Sequence, residues 1–224
     1  MLGLNSYDFS ARWQMPDLTR FGQMDPMAEK MPDVSPYAYC HNNPIIKVDY
    51  DGKWDVYIHL MKDRTVSGLG IAVVKDMKGA EIYRFEIRAE GVGGHNTMNE
   101  NSDTPLGVYD IPEDSPWISG GNRASYGPNP RLIMVPESGD IVKSQRSEIR
   151  IYGGRQEIYN EKEKEWVKVN NPQLKRTNGC IRAYDDDMKA FKDIIEQLDD
   201  ADLPGKVYVI DDLEEFKKEY DWHE

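Results

Sequence analysis

From residue 53 onward the chain alternates. Trp54, Val56, Ile58 and Leu60 are separated by Asp55, Tyr57 and His59, and Tyr83, Phe85 and Ile87 alternate with Arg84, Glu86 and Arg88. A period of two sends successive side chains to opposite faces of a pleated strand, so such segments bury one sheet face and wet the other. Residues 132–135, 148–152 and 206–210 are shorter strand candidates. Breaks at Gly91-Val92-Gly93-Gly94, Gly120-Gly121 and Tyr126-Gly127-Pro128 separate the candidates. One helix is written as plainly. Met188, Phe191, Ile194, Ile195 and Leu198 recur at helical spacing behind Asp185-Asp186-Asp187, whose carboxylates suit both capping and the macrodipole. Pro204-Gly205 ends the connection to the strand at 206–210, an acidic helix is expected over 213–220, and 161–168 reads as an exposed charged loop or hairpin. The expected fold class is mainly β, mostly antiparallel, with a few helices.

Residues 5–53 are written differently. They are dense in Pro, Asp, Asn, Tyr and Met, with neither period, and Met15-Pro16-Asp17, Asp25-Pro26, Ser35-Pro36, Asn43-Pro44 and Asp51-Gly52 are turn signals. Such a segment buries little core of its own and must lean on a larger surface. The boundary is placed between an N-terminal segment, 1–53, and a domain, 54–224. The wording of the first part is specific: Tyr7-Asp8-Phe9-Ser10-Ala11-Arg12-Trp13, Thr19-Arg20-Phe21, Asp25-Pro26-Met27-Ala28-Glu29-Lys30, Ser35-Pro36-Tyr37-Ala38-Tyr39 and Asn42-Asn43-Pro44-Ile45 occur in order. This resembles the Rhs repeat-associated core motif over nearly all of 5–53. The resemblance implies an irregular core segment that closes a β-cage shell of YD repeats and is followed by a toxin domain. Many Rhs cores end in Asp-Pro-x-Gly, where autoproteolysis frees the toxin. Here Asp49-Tyr50-Asp51-Gly52 stands in that place, with Tyr50 where proline is usual.

Chemistry concentrates at Thr177-Asn178-Gly179-Cys180-Ile181-Arg182. Nearby cationic charge and amide dipoles favour thiolate over thiol, glycine permits close approach of a carbonyl, and amides around Gly179 and Cys180 could cradle an oxyanion. A buried structural cysteine in a turn is the competing reading of the hexapeptide alone.

The hexapeptide is similar to the Ser/Thr-His-Gly-Cys signature of the L,D-transpeptidases, the YkuD-type enzymes. Thr104-Pro105-Leu106-Gly107-Val108-Tyr109-Asp110-Ile111 resembles that family's Thr-Pro-x-Gly-x-Tyr/Phe-x-Ile strand. Arg146-Ser147-Glu148-Ile149-Arg150-Ile151-Tyr152-Gly153-Gly154 resembles its Arg-Ser-x-Ile-x-Ile-His-Gly segment, and the helix and closing strand follow in order. The resemblance implies an L,D-transpeptidase-like β-sandwich. In it Cys180 would attack a peptidoglycan stem peptide, Gly179 with its neighbours would form the oxyanion site, and Arg182 would serve as substrate-carboxylate or structural arginine. Thr177 and Gly153 would line the substrate.

The family's two motif histidines are absent: Tyr152 stands where the general base belongs, and Asn178 where the second histidine belongs. The histidines present are His41, His59, His95 and His223, none in a motif. Losing a general base costs on the order of 10²- to 10⁴-fold in rate. Three readings stay open. Tyr152, as a hydrogen-bond partner, or Asp185 assists Cys180 directly; His95 folds back to replace the missing imidazole and contact substrate; or the fold has lost transpeptidation and been kept for another use. Residues 161–168 account for an interval from Tyr152 to Cys180 that is long for the family, and are a candidate lid. Trp117 and Tyr126, between glycine and proline breaks, are core residues by default and could instead line a groove.

The formal net charge of −12 opposes nucleic acid as a partner, since phosphate binding needs clustered Lys and Arg. No run reaches the roughly 18 apolar residues of a membrane span, and residues 1–12 lack the layout of a signal peptide. Cys40 and Cys180 have unrelated contexts and are expected to be unpaired. His and Cys do not fall at metal-ligand spacing, so no metal and no cofactor is implied. Together the two resemblances imply an antibacterial toxin delivered by a secretion system, such as a type VI apparatus. It would act on stem peptides in the periplasm of a target cell and be held in check by a cognate immunity protein. The alternative is an inactive or repurposed fold that binds a wall fragment or a partner protein.

Overall fold

A computed structural model describes residues 53–198 and 202–219, with short pieces at 7–8, 13–15, 20–24 and 37. Those pieces hold three small strands, β1 (Tyr7–Asp8), β2 (Trp13–Met15) and β3 (Arg20–Phe21), paired antiparallel in the order β1-β2-β3. The rest of the expected Rhs core segment, with Cys40 and the Asp49–Gly52 stretch, lies outside the described residues.

The main sheet begins with β4 (Lys53–Leu60), at the compositional boundary. It continues through β5 (Leu69–Lys75), β6 (Glu81–Arg88), β7 (Gly107–Asp110), β8 (Trp117–Ile118), β9 (Arg131–Gly139) and β10 (Ile149–Tyr152). After the hairpin of β11 (Glu157–Asn160) and β12 (Glu165–Lys168) come β13 (Ile181–Ala183) and β14 (Leu203–Ile210). Around the sheet the strands run β10-β13-β6-β5-β4-β14-β7-β9, and β9 also pairs with β10. The sheet therefore closes on itself as an eight-stranded barrel, with β8 as an extra ribbon on β9. Where the sequence leads one to expect a sandwich of two sheets, every strand of the ring has a partner on both sides. Six of the eight junctions are antiparallel; β14–β4 and β10–β13 are parallel.

The alternation sorts the side chains as written. Trp54, Val56, Ile58 and Leu60 of β4 and Phe85 and Ile87 of β6 point into one core with Leu132, Met134, Ile149, Ile151, Ile181 and Val207. β5 is buried on both faces. Ala72 and Val74 join the inner core, while Ile71 and Val73 are covered from outside by Leu213 and Phe216 of α4 (Leu213–Glu219). Burial on both faces erases the period of two, which is why β5 is invisible to pattern reading. His59, facing outward, is sandwiched there: its ring stacks on Phe216 at 4.0 Å and its Nδ1 lies 2.7 Å from Asp212 Oδ1.

The expected helix is α3 (Asp185–Ile195). Its Met188 and Phe191 enter the core, and Phe191 meets the rings of Trp54, Phe85 and Trp117 at 5.2–6.1 Å where β4 begins. The capping expectation needs correction. The N-cap position is Tyr184, which makes no side-chain cap bond, and the Asp185 carboxylate instead accepts the Gly154 N–H at 2.6 Å. Two short helices complete the chain, α1 (Arg123–Tyr126) and α2 (Asp140–Ser144). Pro204-Gly205 falls inside β14, where the register with β4 shifts. Residues 161–168 do form a hairpin end, with Ile158 opposite Val167 and Tyr159 opposite Trp166. No helix among the described residues is long and apolar enough to cross a membrane.

Candidate active site

Strand directions gather five connections at one end of the barrel. β4, β6, β9 and β14 finish there and β5, β7, β10 and β13 start there, so 61–68, 89–106, 140–148, 177–180 and 211–212 are neighbours. Phe191 and its ring partners occupy the opposite end. Cys180 stands one residue before β13, whose Ile181 pairs with Ile151, so it lies beside Arg150 on the outer face of the ladder. The inner face at that level is filled by Ile149, Ile151 and Ile181.

The Cys180 turn is built from hydroxyls and a guanidinium. Gly179 has φ +98, a left-handed value that costs glycine little. Thr177 Oγ1 accepts the Gly179 N–H at 3.1 Å and donates to the Cys180 carbonyl at 2.6 Å. Thr104, fully buried, places its Oγ1 3.1 Å from the Gly179 carbonyl and 3.3 Å from that of Cys180. Arg146 then binds the loops together. Nη1 donates to Thr97 O, Ser102 Oγ and Asp103 O at 2.8–3.3 Å, and Nη2 donates to Ser102 O at 3.1 Å and Gly179 O at 3.3 Å. The Gly179 amide, expected to serve an oxyanion, is thus already engaged by Thr177.

Three groups act on the sulfur. Cys180 Sγ donates to the Glu148 carbonyl at 3.6 Å, and the Arg150 amide and the Tyr152 hydroxyl hydrogen-bond to it. Burial pushes the Cys180 thiol above its ordinary pKa. The Arg150 amide, the Arg150 and Arg146 charges and the Tyr152 hydroxyl oppose that rise without cancelling it. At neutral pH the group is a thiol. The Tyr152 phenol is also held well above its ordinary value, first by burial and then by Cys180. It can therefore donate to a thiolate but cannot take the thiol's proton as a base.

The other expected residues divide. Arg182, 3% exposed, is structural: it donates to Lys175 O and Ser125 O, each at 3.0 Å, and to Gly153 O, with its guanidinium 4.9 Å above the Tyr152 ring. Gly153 is buried against Asp185, and a β-carbon there would collide with that carboxylate. The Asp185 carboxylate accepts the Gly154 N–H through Oδ1, and its buried Oδ2 has no hydrogen-bond partner among the described residues. The Asp185 backbone carbonyl and amide bond Asn129 and Gln156, and burial raises the carboxyl's pKa. It is not among the groups that bond to Cys180 Sγ. Asn178 is exposed. His95 does not fold back onto Cys180. Its Nδ1 lies 3.0 Å from Oδ2 of the fully buried Asp103, whose Oδ1 accepts the Gly91 N–H. The ring borders a cavity of about 260 Å³ shared with Lys62, Arg64 and Asp140, which Cys180 does not line. Among the described residues, no three His, Cys, Asp or Glu side chains group closely enough to hold a metal ion.

Sequence reasoning assigned no role to Arg146, Arg150, Thr104 or Asp103. Arg146, Arg150 and Thr104 lie inside the segments that carry the L,D-transpeptidase resemblance, which is the signal that could have found them.

No family model matches the chain, and no solved structure matches it. A stretch of 55 residues is 44% identical to Salivary gland surface protein 1 of Aedes aegypti. It covers 25% of this chain and 2% of that protein, so the likeness is local.

Proposed function

We propose that this chain is part of an Rhs-type toxin whose barrel domain, of L,D-transpeptidase type, acts on peptidoglycan stem peptides through Cys180. The observation that carries the reading is the convergence on one thiol of the Tyr152 hydroxyl, the Arg150 amide and the Arg146 charge, each of which favours the thiolate. The Cys180 thiolate adds to the carbonyl carbon of an L,D-type bond. The C–N bond breaks, the leaving amine takes a proton, and water or a second amine releases the thioester. Trimming stems or capping them with a free D-amino acid would starve cross-linking. The Rhs resemblance supplies the rest: delivery by a secretion apparatus, action in the periplasm of the target cell, and an immunity protein in the producer. The missing imidazole makes the enzyme an alkaline one, since the thiol must lose its proton to solvent.

A second reading is favoured by the same burial that raises the thiol's pKa: a catalytically silent fold that holds a wall fragment or partner protein. Stem-peptide analysis of peptidoglycan treated with the protein and with Cys180→Ala separates the two. New tripeptide or D-residue-exchanged stems made only by the intact cysteine support the enzyme, and unchanged stems with folded protein support the binder.

A further inference from the structure

Four arginines surround Cys180 and Tyr152 in a chain whose formal net charge is −12. Two are consumed by the fold, Arg146 by carbonyls of two loops and Arg182 by three carbonyls of its own. The other two, Arg131 and Arg150, each keep a buried Nε that has no hydrogen-bond partner among the described residues. Arg131 is the more telling. It is only 7% exposed, and its guanidinium makes no hydrogen bond or ion pair among the described residues but lies over the Tyr126 ring, 4.4 Å from its centroid. Arg150 faces Glu148 at 3.8 Å, but that carboxylate is 78% exposed and such a pair is worth little in water. A nearly buried cation without an acceptor is costly, and a site that awaits an anion is the physical reason to keep one.

Register places the two together. Ile151 pairs with Leu132 and Arg150 with Ile133, so Arg131 falls opposite Tyr152 on the outer face, with Arg150 diagonal to it. Tyr126 stands edge-on to Tyr152, ring centroids 5.2 Å apart, and Arg131 Nη1 lies beside Gly121. Gly120 and Gly121 are both at left-handed φ, and a β-carbon on Gly120 would meet nothing within 4 Å. The guanidinium therefore sits on an aromatic platform under an open glycine turn. Its strand, β9, lies two strand spacings, about 10 Å, from β13, which Cys180 immediately precedes.

We propose that Arg131, backed by Arg150, binds a free carboxylate of the substrate, which makes the substrate of Cys180 a peptide that is anionic near the attacked carbonyl. This rests on the acyl-transfer reading. The carboxylate belongs either to the chain end of the peptide or to the side chain of a diamino acid within it; both present the same two oxygens to the fork of an arginine.

The test is titration calorimetry on the full chain carrying Cys180→Ala. The probes are a stem tetrapeptide with both carboxylates free, the same peptide amidated at its chain end, and the same peptide amidated on the diamino-acid side chain. The fully free peptide should bind, and one amide should bind on the order of 10- to 100-fold more weakly, naming the carboxylate. Adding Arg131→Gln should weaken the free peptide to the level of that amide and leave the amide unchanged. Arg131→Lys, which keeps charge over Tyr126, gives a smaller loss and keeps the test readable if the glutamine variant does not fold. Equal binding of all three peptides, no binding of any, or free-peptide binding indifferent to both Arg131 substitutions overturns the proposal. Stem cleavage without carboxylate dependence overturns this inference alone. Arg131-dependent binding without stem cleavage by the intact cysteine overturns the acyl-transfer reading and leaves the site.

Discussion

Gly179→Ala should destabilise the protein by about 3–4 kcal/mol, and most of that cost should vanish once Arg146 is removed. Two separate penalties arise. At φ +98 an alanine is in a conformation that costs an L-residue roughly 1–2 kcal/mol. Its β-carbon would also fall inside the van der Waals surface of Arg146 Nη2, and 2.9 Å from the Ser102 carbonyl. Arg146 is not free to swing away, because it is tied to Thr97, Ser102, Asp103 and Gly179. Giving up the two Nη2 bonds costs about 1 kcal/mol each, since both are longer than 3.0 Å. Urea denaturation at 25 °C of the parent, Gly179→Ala, Arg146→Ala and the double variant closes the cycle. In the Arg146→Ala background the alanine should cost only the backbone part, about 1–2 kcal/mol, a coupling of about 2 kcal/mol. Additivity within about 0.5 kcal/mol would show that Arg146 does not hold the Cys180 turn in the way described.

Phe191→Ala should cost about 3–5 kcal/mol in the same assay, because it empties the meeting point of Trp54, Phe85 and Trp117; a loss under 1 kcal/mol would contradict that core. Burial holds the His59 pKa below its ordinary 6.5 despite Asp212, so the unfolded chain takes up the proton first as pH falls. The stability this group contributes is therefore complete above pH 6.5 and declines below it, and His59→Phe should flatten that decline between pH 8 and pH 5. Iodoacetamide should label Cys180 slowly at pH 7 and faster only on the alkaline side of an ordinary thiol's titration. Tyr152→Phe, which deletes a donor to the thiolate, should push the labelling midpoint higher still. A midpoint below 8, or one that Tyr152→Phe lowers, would refute the electrostatics of the site.

What the sequence reveals tracks what faces water. β6 and α3 are legible because each has one dry and one wetter face, and β4 because its outward Asp55, Tyr57 and His59 are polar in type, although Asp55 and His59 are buried. β5 is not, since α4 covers its outer face and Ile71 and Val73 are as buried as Ala72 and Val74. Closure of the sheet is equally hidden. It depends on β9 pairing with β10 and on β13 joining β10 to β6, and no local signal records those long-range registers. Cys180 and Thr177 are legible because a reactive residue type sits in a glycine turn. Arg146 is not, since its acceptors are backbone carbonyls from loops that only the barrel brings to one end. Asp185 misleads for a related reason: at a helix start a carboxylate looks like a cap, and here Gly154 competes for it and wins.

The most direct test of the account is intact-mass spectrometry of the protein quenched after mixing with a stem tetrapeptide at pH 7, 8.5 and 10. The account predicts an acyl adduct equal to the peptide less its terminal residue, on Cys180, more abundant as pH rises and absent in Cys180→Ala. No adduct at any pH, from folded protein that also leaves wall stems unchanged, would contradict it.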